Sequence, residues 1–263
     1  MKKQGLLVLN SVIVFACLVG LWQALVTFNH LKPFILPDPE LVARAIHDRF
    51  PSLLESLAIT TQEAAGGLAA SIVAGVAIAM VFAQWRWVRQ PLYPYTILLQ
   101  TVPIVAIAPL VINWIGAGMF AVGVVTFIIS LAPIIANTTQ GLISVDENLV
   151  HLFIMYKATP AQTLFKLRLP NALPNLFTGI RISAGVSVIG AITGELFASS
   201  QRVGVGGLGY AITYANDQME TAYMFALVAA ATALGFFFFF AVMFMEWLIL
   251  HNWHESSLPQ TDE

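Results

Sequence analysis

The sequence predicts an all-α polytopic membrane protein with six transmembrane helices and both termini on the inner side. Three observations predict it. The 263 residues are 58% hydrophobic and only 10% charged, whereas a soluble domain is about 25% charged. Six apolar runs approach or exceed the roughly 20 residues a helix needs to cross a bilayer. Lysine and arginine then fall unevenly on the two sides, as expected when positive charge is retained inside. A mean hydropathy of +0.80 excludes a water-soluble globule and a disordered chain alike. The net charge of −2 gives no electrostatic footprint for nucleic acid. Cys17 is the sole cysteine, so neither a disulfide within the chain nor a cysteine metal site is possible.

The runs cover residues 6–26, 57–82, 92–114, 119–136, 177–197 and 223–250. Backbone polar groups in lipid must be satisfied within the segment, which makes these runs helices, and barrel-type alternation is absent. The first run follows Met1-Lys2-Lys3, but it is longer than a signal-peptide core and Trp22-Gln23-Ala24 is a poor cleavage site, so it reads as an uncleaved helix. Next, Asp38 stands where a helix N-cap is needed and Pro39 at the first helical position, so a short amphipathic helix should follow at the membrane surface. Pro103 and Pro109 should bend the third span and Pro133 the fourth. Segment 199–222 holds Gly204, Gly206, Gly207 and Gly209 and reads as a flexible gate or a tight turn. With the N-terminus inside, Lys2, Lys3, Arg86, Arg89, Lys157, Lys166, Arg168 and Arg181 lie inside, and Lys32, Arg44, Arg49 and Arg202 outside.

The inner segment 137–176 carries the most information. Ser144-Val145-Asp146-Glu147 has the spacing of a capping box and predicts a helix start. Thr159-Pro160 predicts a second, running through Arg168 and stopping near Pro170. The hairpin is greasy for its position: Leu149, Leu152, Phe153, Met155 and Tyr156 exceed what one short helix pair can bury. Two readings remain. The hairpin packs against the ends of its own spans, or it inserts into a groove on a partner.

Leu169-Pro170-Asn171-Ala172-Leu173-Pro174 followed by Gly179-Ile180-Arg181 resembles the end of the cytoplasmic loop of ABC-importer permeases. The first half of that family's loop motif is missing, since Lys157 stands at its glycine and His151, Leu152 and Phe153 at its Glu-Ala-Ala. In the order of the nitrate/sulfonate/taurine-type permeases come Leu36-Pro37-Asp38-Pro39, Gln100-Thr101-Val102-Pro103 with Ala108-Pro109, Gly194-Glu195 and Gly207-Leu208-Gly209-Tyr210. Thr61-Gln62-Glu63 and Gly194-Glu195 look most like members for pyrimidine or riboflavin uptake. The resemblance implies a type I importer fold and a place in the bacterial plasma (inner) membrane. It also implies a second permease copy, ATPase subunits that hold ATP and its magnesium, and a soluble or lipid-anchored solute-binding protein. On this reading residues 1–56 are the first helix and an external segment, 57–250 the permease domain with coupling helices at 144–170, and 251–263 a cytoplasmic tail. The ATPase contacts would be Glu147, His151, Leu152, Tyr156, Lys157, Ala158, Thr159, Pro160 and Arg168.

The chain shows no chemistry of its own. No glycine-rich loop ends in Gly-Lys-Ser/Thr, so no P-loop ATP site is expected, nor is an enzyme. His30, His47, His151, His251 and His254 form no His-Glu-x-x-His pattern, and no metal site is expected. Four ionisable groups fall inside spans: Glu63, Arg181, Glu195 and Glu246. A charge at membrane depth costs about 2.5–3.5 kcal/mol on insertion scales, so such groups face a cavity or a partner. Arg181 reads as snorkelling or as pairing with Asp146 or Glu147, and Glu246 as reaching the headgroups. Glu63 and Glu195 read either as part of a translocation path with Gln100 and Pro103, or as a structural pair or helix cap. Deep carboxylates suit a neutral or cationic heterocycle better than nitrate, a sulfonate or taurine, which remain the alternative cargo. A secondary transporter or channel would call for an inverted repeat, and residues 1–136 and 137–250 show none. A scaffold subunit without a path would place Glu63 and Glu195 in protein contacts.

Overall fold

The computed structural model describes residues 2–198 and 206–251, and these are helical with no strand. The order is α1 (Lys2–Phe28), α2 (Pro39–Asp48), α3 (Phe50–Gln84), α4 (Arg86–Thr101), α5 (Ile104–Ile115), α6 (Met119–Ile143), α7 (Glu147–Met155), α8 (Pro160–Thr163), a π-helical turn (Leu164–Arg168), α9 (Leu169–Ala198), α10 (Leu208–Asp217) and α11 (Thr221–Leu250). Four continuous helices are long and apolar enough to cross a membrane: α3, α6, the run Pro160–Ala198 and α11. The pair α4–α5 makes a fifth when counted as one broken span. In α1 the described apolar stretch is Ile13–Phe28.

α6 is the centre of the bundle, held between α3 and α9. Glycines allow the backbones to close in, as lipid-embedded helices require when packing rather than water drives association. A Cβ added at Gly67 of α3 would lie 2.5 Å from the Thr126 side chain, and one at Gly190 of α9 would lie 3.0 Å from Thr126 Cα, so α6 is gripped from both sides at one level. Hydroxyls reinforce the contact: Ser71 Oγ donates to Phe127 O at 3.1 Å and Ser183 Oγ to Ser130 O at 2.7 Å. The core continues through Ile112, Val122, Ile134, Leu208 and Leu227, all fully buried. α2 forms as expected, with Asp38 Oδ1 accepting from Leu41 N at 2.7 Å, and it sets Val42 against the core beside α11.

Four expectations need correction. The third span is broken rather than bent: α4 and α5 meet at 96°. The residue before a proline is pushed out of the helical region, and Val102 is extended at φ −70°, ψ 124°, with Pro103 capping α5. Second, the helix after Thr159 does not stop at Pro170. A π turn precedes it, in which Leu169 N donates to Leu164 O, and the helix runs on through Pro170 and Pro174 to Ala198. Proline clashes with the carbonyl four residues back, and the extra residue in the turn shifts that register just before Pro170. Third, Ser144 closes α6, its N–H bonding Gln140 O, and Asp146 caps α7 instead. Fourth, the glycine-rich segment holds a ten-residue helix, α10. Arg202, Gly204 and His254 lie outside the described residues.

Candidate functional sites at the two ends of the bundle

At one end, α3, α9 and α10 converge on two buried carboxyl groups. Thr60 and Glu63 are three residues apart on α3 and share a helix face, which turns both toward Glu195 near the end of α9. Glu63 and Glu195 are 5% and 3% exposed. Thr60 Oγ1 donates to Glu195 Oε1 at 2.6 Å and accepts from Leu208 N at 2.8 Å. Gly209 N donates to Glu195 Oε2 at 2.5 Å. The first amides of α10 would otherwise be orphaned, and Gly207 has no side chain to cap them. Glu195 and Thr60 cap α10 from the neighbouring helices, with the Glu195 carboxyl group at the positive end of a helix dipole. Gly207 leaves room for this, since a Cβ there would lie 2.0 Å from Glu195 Oε1 and 2.3 Å from Thr60 Oγ1. Glu63 contacts the Glu195 carboxyl group, and its Oε2 has no partner among the described residues.

This latch is supported from the same end. Arg49, the corner between α2 and α3, pairs with Glu220 ahead of α11, with Nη1 at 2.6 Å from Oε2. Its guanidinium lies 4.8 Å from the centre of the Tyr223 ring. The hydrogen bond that Arg49 donates to Glu220 raises the Arg49 pKa above its ordinary value, with burial opposing. Thr221 Oγ1 donates to Phe34 O at 3.2 Å, so segments 28–56 and 206–222 meet here.

The opposite end carries the helical hairpin. α8 begins with a full capping box, Thr159 N to Gln162 Oε1 at 2.8 Å and Gln162 N to Thr159 Oγ1 at 3.2 Å. Lys157, at φ 51°, makes the turn between α7 and α8. The hairpin root is tied to the bundle by Arg168 Nη1 to Ala83 O at 2.8 Å and Gln84 Nε2 to Pro160 O at 3.3 Å. Leu164 is buried with Ala79, Ala83, Leu142 and Ala172. No residue of α7 is buried. Met155 and Tyr156 are each 80% exposed, and Leu152 is exposed beside them. Leu152, Phe153, Tyr156, Ala158, Gln162 and Lys166 line a cleft of about 300 Å³.

The sequence-predicted residues therefore separate. Glu147, His151, Leu152, Tyr156, Lys157, Thr159 and Pro160 are exposed on the hairpin, with Ala158 half-buried in its turn, while Arg168 turns inward to the end of α3. Glu63 and Glu195 come together, and Gln100 and Pro103 lie exposed at the α4–α5 elbow. Arg181 pairs with Glu246 of α11, not with Asp146 or Glu147. Sequence reasoning passed over Thr60 and the Arg49–Glu220 pair. The i, i+3 spacing of Thr60 and Glu63 was a signal for the first; nothing local marks the second, 171 residues apart in the chain.

Long apolar helices packed through glycine, with a greasy hairpin at one end, have the architecture of a polytopic membrane protein. The fold agrees with a chain of the MetNI methionine ABC transporter, solved in inward-facing conformations, at a TM-score of 0.53 and 19% identity, over 80% of this chain and 97% of that one. Residues 71–249 match the family described as binding-protein-dependent transport system inner membrane component, and the chain belongs to that family. It is 32% identical over 241 residues to the riboflavin transport system permease protein RibX of Chloroflexus aurantiacus, covering 91% of this chain and 88% of that protein. It is 29% identical over 249 residues to the formylaminopyrimidine transport permease protein ThiX of Halalkalibacterium halodurans, covering 94% and 97%. The chain is thus a multi-pass inner-membrane permease component of the ABC-importer kind, and its family is one of transporter subunits rather than enzymes.

Proposed function

We propose that this chain forms the solute path of an ATP-driven, binding-protein-dependent importer and works by alternating access. The cargo is a small organic solute of the heterocycle type. Two copies pair around the path, each crossing the membrane six times with both termini in the cytoplasm. Separate ATPase subunits, which hold ATP and magnesium, grip the α7–α8 hairpin through Leu152, Tyr156, Lys157, Ala158, Thr159 and Pro160, with Glu147 and His151 flanking. Arg168 serves by fixing the hairpin to α3. Closure of the ATPases shifts the equilibrium only insofar as they bind one permease state better than the other. A solute-binding protein docks at the Arg49 end, where the two external segments meet. There the Glu63–Glu195 latch on α10 is the gate, and Gln100 and Pro103 at the elbow border the path. Helix ends broken at membrane depth are tolerated where they line a cavity, which supports that place for the elbow.

The observation that carries this reading is the hairpin: apolar and exposed at its tip, anchored by hydrogen bonds at its root. An apolar helix in water calls for a groove to fill. The test is copurification of the cognate ATPase with Leu152→Asp/Tyr156→Asp. ATPase should be lost while membrane insertion is retained; undiminished ATPase would sink the docking assignment.

A further inference from the structure

A cavity of about 230 Å³ opens at the Arg49 end, between the start of α3 and one face of α10. Tyr210, Tyr214 and Tyr223 line it with Arg49, Glu55 and Ser56. The Tyr210 and Tyr214 rings, one helical turn apart, lie near-parallel with centroids 6.4 Å apart and 17° between planes. Tyr214 is half exposed, whereas Tyr223 is buried with the Arg49 guanidinium against its ring.

We propose that this cavity is a binding subsite for a solute with a single aromatic ring, neutral or cationic, on its way into the path. Three features specify that class. Tyrosine faces carry a negative quadrupole that favours planar rings and cations over anions. The positive charge of Arg49 is matched by its two-point pairing with Glu220, and Glu55 adds a carboxylate to the lining, so the described wall offers no uncompensated cation to an anion. The volume is below the roughly 300 Å³ at which pockets for drug-sized ligands begin, so it suits a six-membered ring with small substituents better than a fused three-ring system. Tyr210 and Tyr214 belong to α10, whose first amides are held by Thr60 and Glu195. A solute seated here therefore touches the latched helix directly.

This inference rests on the permease reading and is tested apart from it. The permease with its ATPase is reconstituted in lipid nanodiscs, and binding of 4-aminopyrimidine is measured by saturation-transfer NMR, with taurine and riboflavin as competitors. The expected result is saturable binding of 4-aminopyrimidine that neither competitor displaces. Tyr214→Ala should raise its Kd about two- to tenfold, the effect of one lost aromatic contact, while Tyr214→Phe stays within about twofold. Absence of saturable binding, displacement by taurine, or equal Kd for wild type and Tyr214→Ala overturns the subsite. ATP-dependent uptake into proteoliposomes is scored separately, because its loss overturns the permease reading, and its persistence without cavity binding overturns the subsite alone.

Discussion

Replacing Gly207 by alanine should unfasten α10. The new Cβ would lie 2.0 Å from Glu195 Oε1, 2.3 Å from Thr60 Oγ1 and 2.6 Å from Glu195 Cδ. Those atoms belong to buried groups on two different helices, so the strain is relieved by displacing the start of α10. Overpacking of this kind costs about 1–3 kcal/mol. Leaving a buried donor without its acceptor costs about 1–3 kcal/mol, and the bond from Gly209 N to Glu195 is broken in the displaced state. A combined loss of about 2–4 kcal/mol follows, taking the lower halves of both ranges. With about 1.4 kcal/mol per factor of ten, the amides of Leu208 and Gly209 should exchange with solvent roughly 30- to 700-fold faster. Hydrogen exchange read by mass spectrometry on the nanodisc-embedded protein measures this. Gly185→Ala is the control, because a Cβ there meets nothing within 4 Å. Exchange at α10 unchanged in Gly207→Ala would refute the latch geometry.

Glu63→Gln and Glu195→Gln should each alter ATP-driven uptake without preventing assembly with the ATPase; wild-type uptake in both would remove the pair from the gate. Thr60→Val keeps the shape but leaves Leu208 N–H without its acceptor, and should cost about 1–3 kcal/mol in thermal unfolding. Arg181→Met leaves Glu246 unpaired in a half-buried site and should destabilise more than the double variant Arg181→Met/Glu246→Leu, because an uncompensated charge costs more than a removed pair. Equal melting temperatures for the two would show that the pair is solvated.

Hydropathy located the principal helices because bilayer thickness leaves little freedom in their length. What it could not resolve were effects that depend on register. Pro170 reads as a stop until the π turn at Leu164–Arg168 absorbs a residue ahead of it. Pro103 reads as a bend, yet steric exclusion at Val102 separates two helices at 96°. The glycines of α10 read as slack, whereas Gly207 and Gly209 make room for Glu195, a residue on another helix. The two glutamates stand out as costly charges, but their partner Thr60 is an ordinary residue for such a helix and becomes significant only once α9 is set beside α3. The hairpin tip is legible because its apolar residues outnumber the helices available to cover them, while the inward turn of Arg168 depends on where α3 ends.

The helix from Pro160 to Ala198 is 39 residues long, about 58 Å at 1.5 Å per residue. It starts at the root of the hairpin and finishes three residues past Glu195. One continuous run thus joins the two ends of the molecule, pressed along its middle against α6. On the proposed importer mechanism, a tilt applied at the hairpin would reach Glu195 through this one helix, with the π turn at Leu164–Arg168 as its irregular point.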